Sequence, residues 1–315
     1  MSEPSKPPVS LHYTGGSLNR AVERRDDDAW IAERLSAANS RVVPLWRNRN
    51  LISSATDPMA VFTEGEHAKT FLELAETIAL LGIDPISDTA IFAADLSAHE
   101  DNALATLMNG ASFLDLREVG PVMNQREANL LAYARGVMYW HRRQRFCGNC
   151  GHPTESRKGG HMRKCTNERC GREHYPRTDP AVIMLVTRET SNGDVCLLAH
   201  KNSFPQGRFS VLAGYVDPGE SLEEAVAREV LEEVGVIVTE VTYKASQPWP
   251  FPSSLMLGFR ARAVSEEIVC DQDEIEEAFW FSREDLADFP DKGYQLSRPD
   301  SIARWLIDEW IAEGR

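Results

Sequence analysis

Residues 214–236 read GYVDPGESLEEAVAREVLEEVGV, and this stretch decides how the C-terminal part of the chain folds. It opens with turn residues at Asp217, Pro218 and Gly219. Ser221 and Glu224 have the spacing of a capping box, and Gly235 stands where a helix C-cap belongs. Between them, apolar residues recur at helical spacing, namely Leu222, Ala225, Val226 and Val230. The sequence therefore predicts a glycine-containing loop followed by a short amphipathic helix.

Three glutamates of this helix share one face. Glu229, Glu232 and Glu233 stand at i, i+3 and i+4, where like charges destabilise an isolated helix. A bound Mg²⁺ or Mn²⁺ would reverse that effect, because carboxylate oxygens are the ligands that hard cations prefer. Arg228 lies just outside this face and can hold one of the carboxylates with its forked donors. The alternative is a solvated acidic helix, the usual interpretation of an ordinary pair of glutamates.

The spacing of the whole stretch favours the metal site. The pattern is Gly-x5-Glu-x7-Arg-Glu-apolar-x-Glu-Glu-x-Gly-apolar, and every position is filled. Its members are Gly214, Glu220, Arg228, Glu229, Val230, Glu232, Glu233, Gly235 and Val236. This stretch resembles the Nudix box. The resemblance implies hydrolysis of a nucleoside diphosphate linked to another group, with divalent metal on the glutamates.

Length and composition narrow the class of protein further. A chain of 315 residues is long enough for two domains with a small module between them. A net charge of −14 argues against general electrostatic binding to nucleic acid or to an anionic membrane. The sequence has neither an apolar run of transmembrane length nor a signal-peptide pattern at its start, and its six cysteines suggest metal before disulfides. We therefore expect a cytoplasmic protein that is not bound to a membrane.

Four of the cysteines have the spacing of a zinc ribbon. The order is Cys147-x2-Cys150-x14-Cys165-x4-Cys170, which fits one tetrahedral Zn²⁺ held by four thiolates. Since all four positions are filled by protein, the zinc is expected to be structural. The alternative is four incidental thiols. Residues 141–178 also carry ten Lys or Arg against three Glu, a surplus of seven positive charges. We interpret this surplus as a solvated basic surface, and a landing patch for an RNA 5′ end is the sharper alternative.

These signals divide the chain into three predicted domains: an N-terminal α+β domain (1–125), a helix and zinc-ribbon module (126–178), and a C-terminal hydrolase domain (179–315). Residues 1–10 are expected to be mobile. Predicted strands span 41–46, 90–93, 181–187, 194–200, 209–213, 236–245, 255–264 and 277–281. Predicted helices span 68–81, 126–141 and 301–312, besides the helix of the acidic stretch. For the last domain this order predicts an α/β/α sandwich with a mixed sheet, so the fold class is α/β (α+β).

A second motif, SQPWPFPSS, occupies residues 246–254. Its three prolines stiffen the backbone, and Trp249 and Phe251 offer flat faces on which a base or a nicotinamide ring can stack. Gln247 and the serines add hydrogen-bonding groups. On physical grounds alone, a proline-rich turn that packs its aromatic rings onto the core explains the motif equally well.

The order of these features resembles the NADH pyrophosphatase subfamily of the Nudix hydrolases. The likeness runs from about Phe146 to the C-terminus and includes the zinc ribbon, Tyr175-Pro176-Arg177, the acidic box and the SQPWPFPxS motif. One departure is the four-residue gap between Cys165 and Cys170, where many bacterial members have two residues. The fold implied by the resemblance is the Nudix sandwich preceded by a zinc ribbon. A homodimer is implied as well.

The resemblance also implies roles for individual residues. Glu229 and Glu233 would bind catalytic Mg²⁺ or Mn²⁺, with Glu232 as a further ligand or a base that orients water. A late metal-binding glutamate falls at Glu274, with Glu276 and Glu277 as close alternatives. The implied substrate contacts are Tyr175, Ala213, Gln247, Pro248, Trp249, Pro250, Phe251, Pro252, Ser253, Ser254 and Ala303.

The function implied is hydrolysis of the diphosphate of NADH or NAD⁺ to nicotinamide mononucleotide and AMP, together with removal of NAD caps from RNA. Hydrolysis of another nucleotide diphosphate such as ADP-ribose is the nearest alternative, and the motif at 246–254 argues against it. A non-catalytic nucleotide sensor is disfavoured because every glutamate of the box is kept. A zinc-ribbon RNA-binding or assembly module is disfavoured by the overall acidity.

Overall fold

The computed structural model describes residues 11–314 of the chain. The segment 1–10, for which mobility was expected, lies outside the described residues. The chain forms two compact units. Within the described residues, the N-terminal unit comprises 13–178 and 249–253, and the C-terminal unit comprises 11–12, 179–248 and 254–314.

The N-terminal unit contains two sheets. Its strands are β1 (Arg41–Trp46), β2 (Arg49–Ile52), β3 (Thr77–Ile83), β4 (Ala90–Asp95), β5 (Ser112–Leu114), β6 (Thr154–Arg157), β7 (Met162–Cys165) and β8 (Glu173–His174). Its helices are α1 (Asp28–Ser36), α2 (Gly65–Leu74), α3 (Asp101–Leu104), α4 (Leu116–Val119) and α5 (Gln125–Arg143). One sheet has the order β3-β4-β1-β2-β5, in which β1 and β4 are parallel. The other, β6-β7-β8, belongs to the cysteine-rich module.

Helices cover both faces of the five-stranded sheet. Helix α5 packs its buried face against one side of the sheet, where Val43, Leu45, Leu81 and Ala93 contribute to the core. On the other side Val42 and Ala94 pack with Ala68 of α2, and Leu80 and Phe92 pack with Trp30 and Ile31 of α1. Adjacent strand residues therefore face opposite cores, as a sheet buried on both sides requires.

The C-terminal unit is built on a mixed sheet. Its strands are β9 (Asp179–Thr190), β10 (Gly193–Lys201), β11 (Leu212–Tyr215), β12 (Val238–Trp249), β13 (Ser254–Ala263) and β14 (Ile275–Phe281). Its helices are α6 (Leu222–Val234), α7 (Arg283–Ala287) and α8 (Ile302–Glu313). The strand order is β12-β13-β9-β10-β14, with β11 also paired to β9. Strands β9 and β13 are parallel, whereas β10 is antiparallel to both β9 and β14.

Alternation along β9 explains the sandwich. Val182, Met184 and Val186 face the core that contains α6. Ile183 and Leu185 face the opposite core, which contains α8. The sheet therefore lies between α6 and α8, and this confirms the predicted α/β/α arrangement with a mixed sheet. No helix within residues 11–314 is long and apolar enough to cross a membrane.

One predicted element was wrong. Residues 68–81 were expected to form one helix, but α2 ends at Leu74 and strand β3 occupies Thr77–Ile83. Five consecutive residues of β3 are buried, and such a run gives no period that separates a strand from a buried helix. The strand at 41–46 is confirmed at both ends, and α5 confirms the helix predicted at 126–141. The predicted strands at 181–187 and 194–200 lie within β9 and β10, which pair as an antiparallel hairpin.

Candidate active site

Helix α6 carries the acidic row, and local chemistry fixes both of its ends. Ser221 and Glu224 form the predicted capping box, in which each side chain accepts a hydrogen bond from the backbone N–H of the other residue. The helix ends at Gly235, whose φ of 70° is the left-handed conformation that favours glycine. Ala225, Val226 and Val230 are buried in the core below, so the glutamates are held on the remaining face.

Arg228 binds three carboxylates at once. Its Nε and Nη2 atoms donate to Glu220 at 2.5 and 2.9 Å, and its Nη1 atom donates to Glu229 at 2.8 Å and to Glu232 at 2.9 Å. The hydrogen bonds from Arg228 and from the backbone N–H of Asp217 lower the pKa of Glu220 to about 2. These contacts also raise the pKa of Arg228, the bonds to Glu220 first. The expected clamp on a carboxylate is therefore confirmed, and it extends to two more.

A second cation, Lys201 at the end of β10, holds the other end of the row. Its Nζ atom lies 2.5 Å from Glu233 Oε1 and 3.6 Å from Glu274 Oε2. The Glu233 side chain is only 5% exposed, and burial raises its pKa. Of the two alternatives to Glu274, Glu276 faces His200 instead, at 3.4 Å from its Nε2 atom. Lys201 thus links the late glutamate to the helix.

Gly214 on β11 allows the Glu229 carboxylate to lie close to the sheet. A Cβ atom at this position on β11 would lie within 3.0 Å of the carboxyl carbon and both oxygens of Glu229. Real Cβ atoms essentially never show such a separation. Gly214 is thus required by the position of Glu229 and not by its own backbone conformation.

The chemistry of this donor set fits a divalent cation. Glu220, Glu229, Glu232, Glu233 and Glu274 supply five negative charges, and Arg228 and Lys201 supply two positive ones, which leaves a net charge of −3. The Glu233 Oε2 atom is buried and has no hydrogen-bond partner within residues 11–314. A buried, unpaired carboxylate oxygen is costly, and a hard cation is its natural partner. In this structure Arg228 and Lys201 hold the carboxylates.

The four predicted zinc ligands lie together in the N-terminal unit. The Sγ atoms of Cys147, Cys150, Cys165 and Cys170 all lie within 4.8 Å of one another. Two of the separations are 3.4 and 3.8 Å, close to the edge of about 3.8 Å of a tetrahedron of thiolates around zinc. Burial raises the pKa of Cys165 to about 12, whereas the backbone N–H of Arg172 lowers that of Cys170 to about 6. Four thiolates this close together repel one another, and a cation between them would stabilise the cluster.

Side chains around the cysteines complete this cluster. The amide of Asn149 donates to Cys170 Sγ at 3.6 Å, and His174 Nε2 lies 3.4 Å from Cys147 Sγ. Such contacts orient thiolates and disperse their charge. The sequence analysis did not single these residues out, although Asn149 stands between two ligand cysteines. Lys201 was also missed, because no motif marks it.

The motif at residues 246–254 has two different environments. In the C-terminal unit the Gln247 side chain is fully buried. Its Nε2 atom donates to the backbone oxygens of His12 and Asp300, and its Oε1 atom accepts from the N–H of Ile302 at 2.7 Å. Both amide donors are therefore engaged within the unit, and the amide oxygen anchors the first turn of α8.

The aromatic rings of the motif belong to the N-terminal unit. Trp249 and Phe251 meet edge to face with centroids 5.1 Å apart, and each packs edge-on against Tyr13. The Arg135 guanidinium lies 4.9 Å from the Phe251 ring centroid and donates to the backbone oxygen of Pro250 at 2.9 Å. The structure thus shows the packing of these rings on a core, which was one of the two interpretations of the motif.

The other predicted substrate contacts are dispersed. Ser254 begins β13, with its Oγ atom 3.4 Å from the Tyr215 hydroxyl, and Ala303 is buried in the first turn of α8. Ala213 lies on β11 next to Gly214. Tyr175 is exposed in the N-terminal unit and donates to Glu173 at 2.6 Å. Pro248 and Pro252 are exposed, Pro250 is buried, and Ser253 is half-buried.

Comparison with known proteins places these features in a family. The sandwich and its carboxylate-bearing helix define a Nudix domain, and residues 177–304 match the sequence profile of the NUDIX domain. Residues 142–175 match the NADH pyrophosphatase zinc ribbon domain, and residues 39–140 match the NADH pyrophosphatase-like rudimentary NUDIX domain. The last match assigns the N-terminal region, for which the sequence analysis had no motif.

Two curated relatives are similar over most of the chain. The NAD-capped RNA hydrolase NudC of Stutzerimonas stutzeri is 45% identical over 203 residues, which cover 64% of this chain and 69% of that protein. The NAD-capped RNA hydrolase NUDT12 of Homo sapiens is 43% identical over 241 residues, which cover 73% of this chain and 49% of that protein. The chain thus spans about half the length of the human relative. Among solved structures, a NUDIX hydrolase from Nitrosomonas europaea aligns with a TM-score of 0.37 and 22% identity, over 49% of this chain and 97% of that one.

The chain belongs to the NADH pyrophosphatase (NAD-capped RNA hydrolase) subfamily of the Nudix hydrolases.

Proposed function

We propose that this protein hydrolyses the diphosphate of NADH or NAD⁺ to nicotinamide mononucleotide and AMP, and that it removes NAD caps from RNA to leave a 5′-monophosphate. The observation that carries this proposal is the carboxylate row, with its net charge of −3 and the unpaired, buried Glu233 Oε2 atom. The relatives named as NAD-capped RNA hydrolases support the choice of substrate.

Four glutamates of the row have proposed roles in this reaction. Glu229, Glu233 and Glu274 would hold Mg²⁺ or Mn²⁺, which when bound neutralises phosphate charge and lowers the pKa of a water molecule. Glu232, whose side chain is 60% exposed, remains accessible to a water molecule and would serve as a further ligand or orient the attacking water. The water oxygen bonds to one phosphorus atom, and the bridging oxygen leaves with the other phosphate. Arg228 fixes the row and Gly214 leaves room for Glu229.

The substrate contacts remain proposals. We retain Tyr175, Ala213, Ser253, Ser254 and Ala303 as direct contacts, and we retain the faces of Trp249 and Phe251 that packing leaves half-exposed. Pro248, Pro250 and Pro252 stiffen the segment between them. Because its amide is engaged within the C-terminal unit, Gln247 is proposed to act on substrate by positioning the first turn of α8.

The proposal also includes the compartment, the oligomeric state and the domain boundaries of the enzyme. The thiols of the cysteine cluster suit a reducing cytoplasm, and no cysteine within residues 11–314 forms a disulfide. A homodimer and the three domains at 1–125, 126–178 and 179–315 complete the proposal.

The test is incubation with NADH, NAD⁺, ADP-ribose and NAD-capped RNA, each in Mg²⁺ and in Mn²⁺, with chromatographic separation of the products. Glu233→Gln is expected to lose about a hundredfold or more of turnover, while the variant still folds. Glu223→Gln is the matched control, because Glu223 lies on the same helix and is exposed. Near-normal turnover by Glu233→Gln would refute the mechanism, and faster hydrolysis of ADP-ribose than of NADH would refute the choice of substrate.

A further inference from the structure

The C-terminal unit contains a positively charged cavity besides the carboxylate row. Its volume is about 450 Å³, within the usual range of small-molecule sites. Three arginines line it, Arg208, Arg298 and Arg304, and none of the described residues that line it is Asp or Glu. Such a lining is unusual in a chain with 48 acidic and 34 basic residues. The cavity lining includes none of the glutamates of the carboxylate row.

Arg208 supplies an unsatisfied donor. Its Nε atom is buried and has no hydrogen-bond partner among residues 11–314. Buried N–H groups of native proteins are nearly always hydrogen-bonded, so each exception requires an explanation. A guanidinium is also the side chain best suited to bidentate recognition of phosphate. No carboxylate among residues 11–314 forms an ion pair with Arg208, so an anionic ligand in the cavity would supply the missing countercharge to this guanidinium.

The other two arginines are held in place by carboxylates that do not line the cavity. Arg298 makes a forked pair with Asp300, in which both N···O distances are 3.0 Å and the Asp300 side chain is 1% exposed. Arg304 donates to Asp308 at 2.8 Å. These pairs hold two guanidinium groups against the cavity, and the two aspartates balance their charges, so the net positive charge of the cluster is that of Arg208.

The helix that follows adds to the positive potential. Arg304 lies in the first turn of α8, where the helix dipole is positive and acidic side chains are normally favoured. The first turn of α8 carries no acidic residue. Asp308 supplies Arg304 with an anion at 2.8 Å, so the helix end adds positive potential to the cavity without itself requiring a ligand.

The remaining walls are apolar and aromatic. Leu286, Phe289 and Tyr294 line the cavity, and the Phe289 and Tyr294 rings lie 5.4 Å apart in edge-to-face contact. A ligand that matches these walls combines a flat ring with a phosphate. We propose that this cavity binds one nucleotide, with its 5′-phosphate on Arg208 and its base against Tyr294, since the adjoining Phe289 ring is only 2% exposed.

Two kinds of ligand would present such a nucleotide to the cavity. One is a nucleotide of the RNA chain next to the NAD cap, and this source rests on the proposed function. The other is a free mononucleotide such as the AMP product. Binding itself depends on neither the carboxylate row nor turnover, so it can be measured separately from the proposed reaction.

The first experiment measures AMP affinity by calorimetry in EDTA, where divalent ions cannot hold phosphate on the glutamates. Wild type is expected to bind AMP, and Arg208→Met is expected to weaken binding about tenfold or more. Its melting temperature should match that of wild type, since no partner of the Arg208 Nε atom is lost. Arg262→Met is the control for charge, because Arg262 pairs with Glu189 at the exposed surface. Arg304→Met removes a second positive group, and the Asp308 side chain left behind is 52% exposed.

Lack of AMP binding by wild type would overturn the proposal, and so would undiminished binding by both Arg208→Met and Arg304→Met. The second experiment compares Arg208→Met with wild type and measures, in Mn²⁺, the KM values for NADH and for a short NAD-capped RNA. An increase in KM for the RNA alone identifies the RNA chain as the source, and no change in either identifies the free mononucleotide. An equal increase in KM for both substrates would mean that the cavity binds the dinucleotide itself. That result would overturn the proposal that the cavity is a separate site.

Discussion

The salt bridge between Lys201 and Glu233 yields a sharp prediction about metal loading. Lys201→Met keeps the aliphatic stem but removes the cation that, among residues 11–314, lies within hydrogen-bonding distance of Glu233, whose side chain is 5% exposed. An unsatisfied buried charge costs about 1–3 kcal/mol or more. The cost cannot exceed that of protonating the carboxylate. For a carboxyl group with the ordinary pKa of 4.5, protonation at pH 7.5 costs about 4 kcal/mol. We therefore expect the variant in EDTA to lose about 1–4 kcal/mol of the free energy of unfolding.

Saturating Mn²⁺ should reverse this loss, because a bound cation replaces the ammonium and stabilises the folded state by mass action. The assay is urea unfolding of both proteins in EDTA and in Mn²⁺. Lys244→Met is the matched control, since Lys244 pairs with Glu309 and Glu313 away from the row and should lose less than about 1 kcal/mol in either buffer. Equal stability of Lys201→Met and wild type in EDTA, or equal stabilisation of the two by Mn²⁺, would refute the reasoning.

Three further predictions follow from single observations. Gly214→Ala adds a methyl group within 3.0 Å of the Glu229 carboxylate, so turnover of NADH should fall about a hundredfold, and normal turnover would contradict this. Burial lowers the pKa of His141 and His161 from 6.5 to about 4. Since the unfolded chain takes up these protons first, unfolding free energy should fall as the pH drops from about 6.5 to about 4, by about 2 kcal/mol per histidine at pH 5 and not at all above pH 7. Urea titrations check this, and His161→Gln should weaken the dependence. Removing zinc with a strong chelator should unfold the cysteine module, measured by loss of amide protection in residues 147–174, and retained protection would contradict a structural zinc.

The carboxylate-bearing helix could be predicted from sequence because its determinants are local. The capping box joins residues three apart, and Gly235 ends the helix by its own conformation, so α6 was confirmed at both ends. The clamp by Arg228 followed from its position one residue before Glu229. The cysteine cluster was likewise predicted from spacing alone, and the structure brings its four sulfurs together.

Other parts of the site depend on contacts between residues far apart in the chain. Lys201 reaches Glu233 only because β10 and α6 belong to the same sandwich, and no local pattern reports that arrangement. The environment of the aromatic rings at 249 and 251 was left open for the same reason, since their partner Tyr13 comes from the start of the chain. The helix predicted at 68–81 failed because burial on both faces removed the period that distinguishes a strand.

The two cations of the row differ in how readily they can give way to metal. Arg228 is bonded to Glu220, Glu229 and Glu232, and two of those carboxylates are less than one-fifth exposed, so its displacement would leave several buried charges unpaired. Lys201 makes one short contact with Glu233, and its other partner, Glu274, is 66% exposed. An ammonium on a flexible stem can turn into solvent at little cost. Divalent metal should therefore replace Lys201 and leave the Arg228 clamp intact, which is why metal-dependent stability should respond to residue 201.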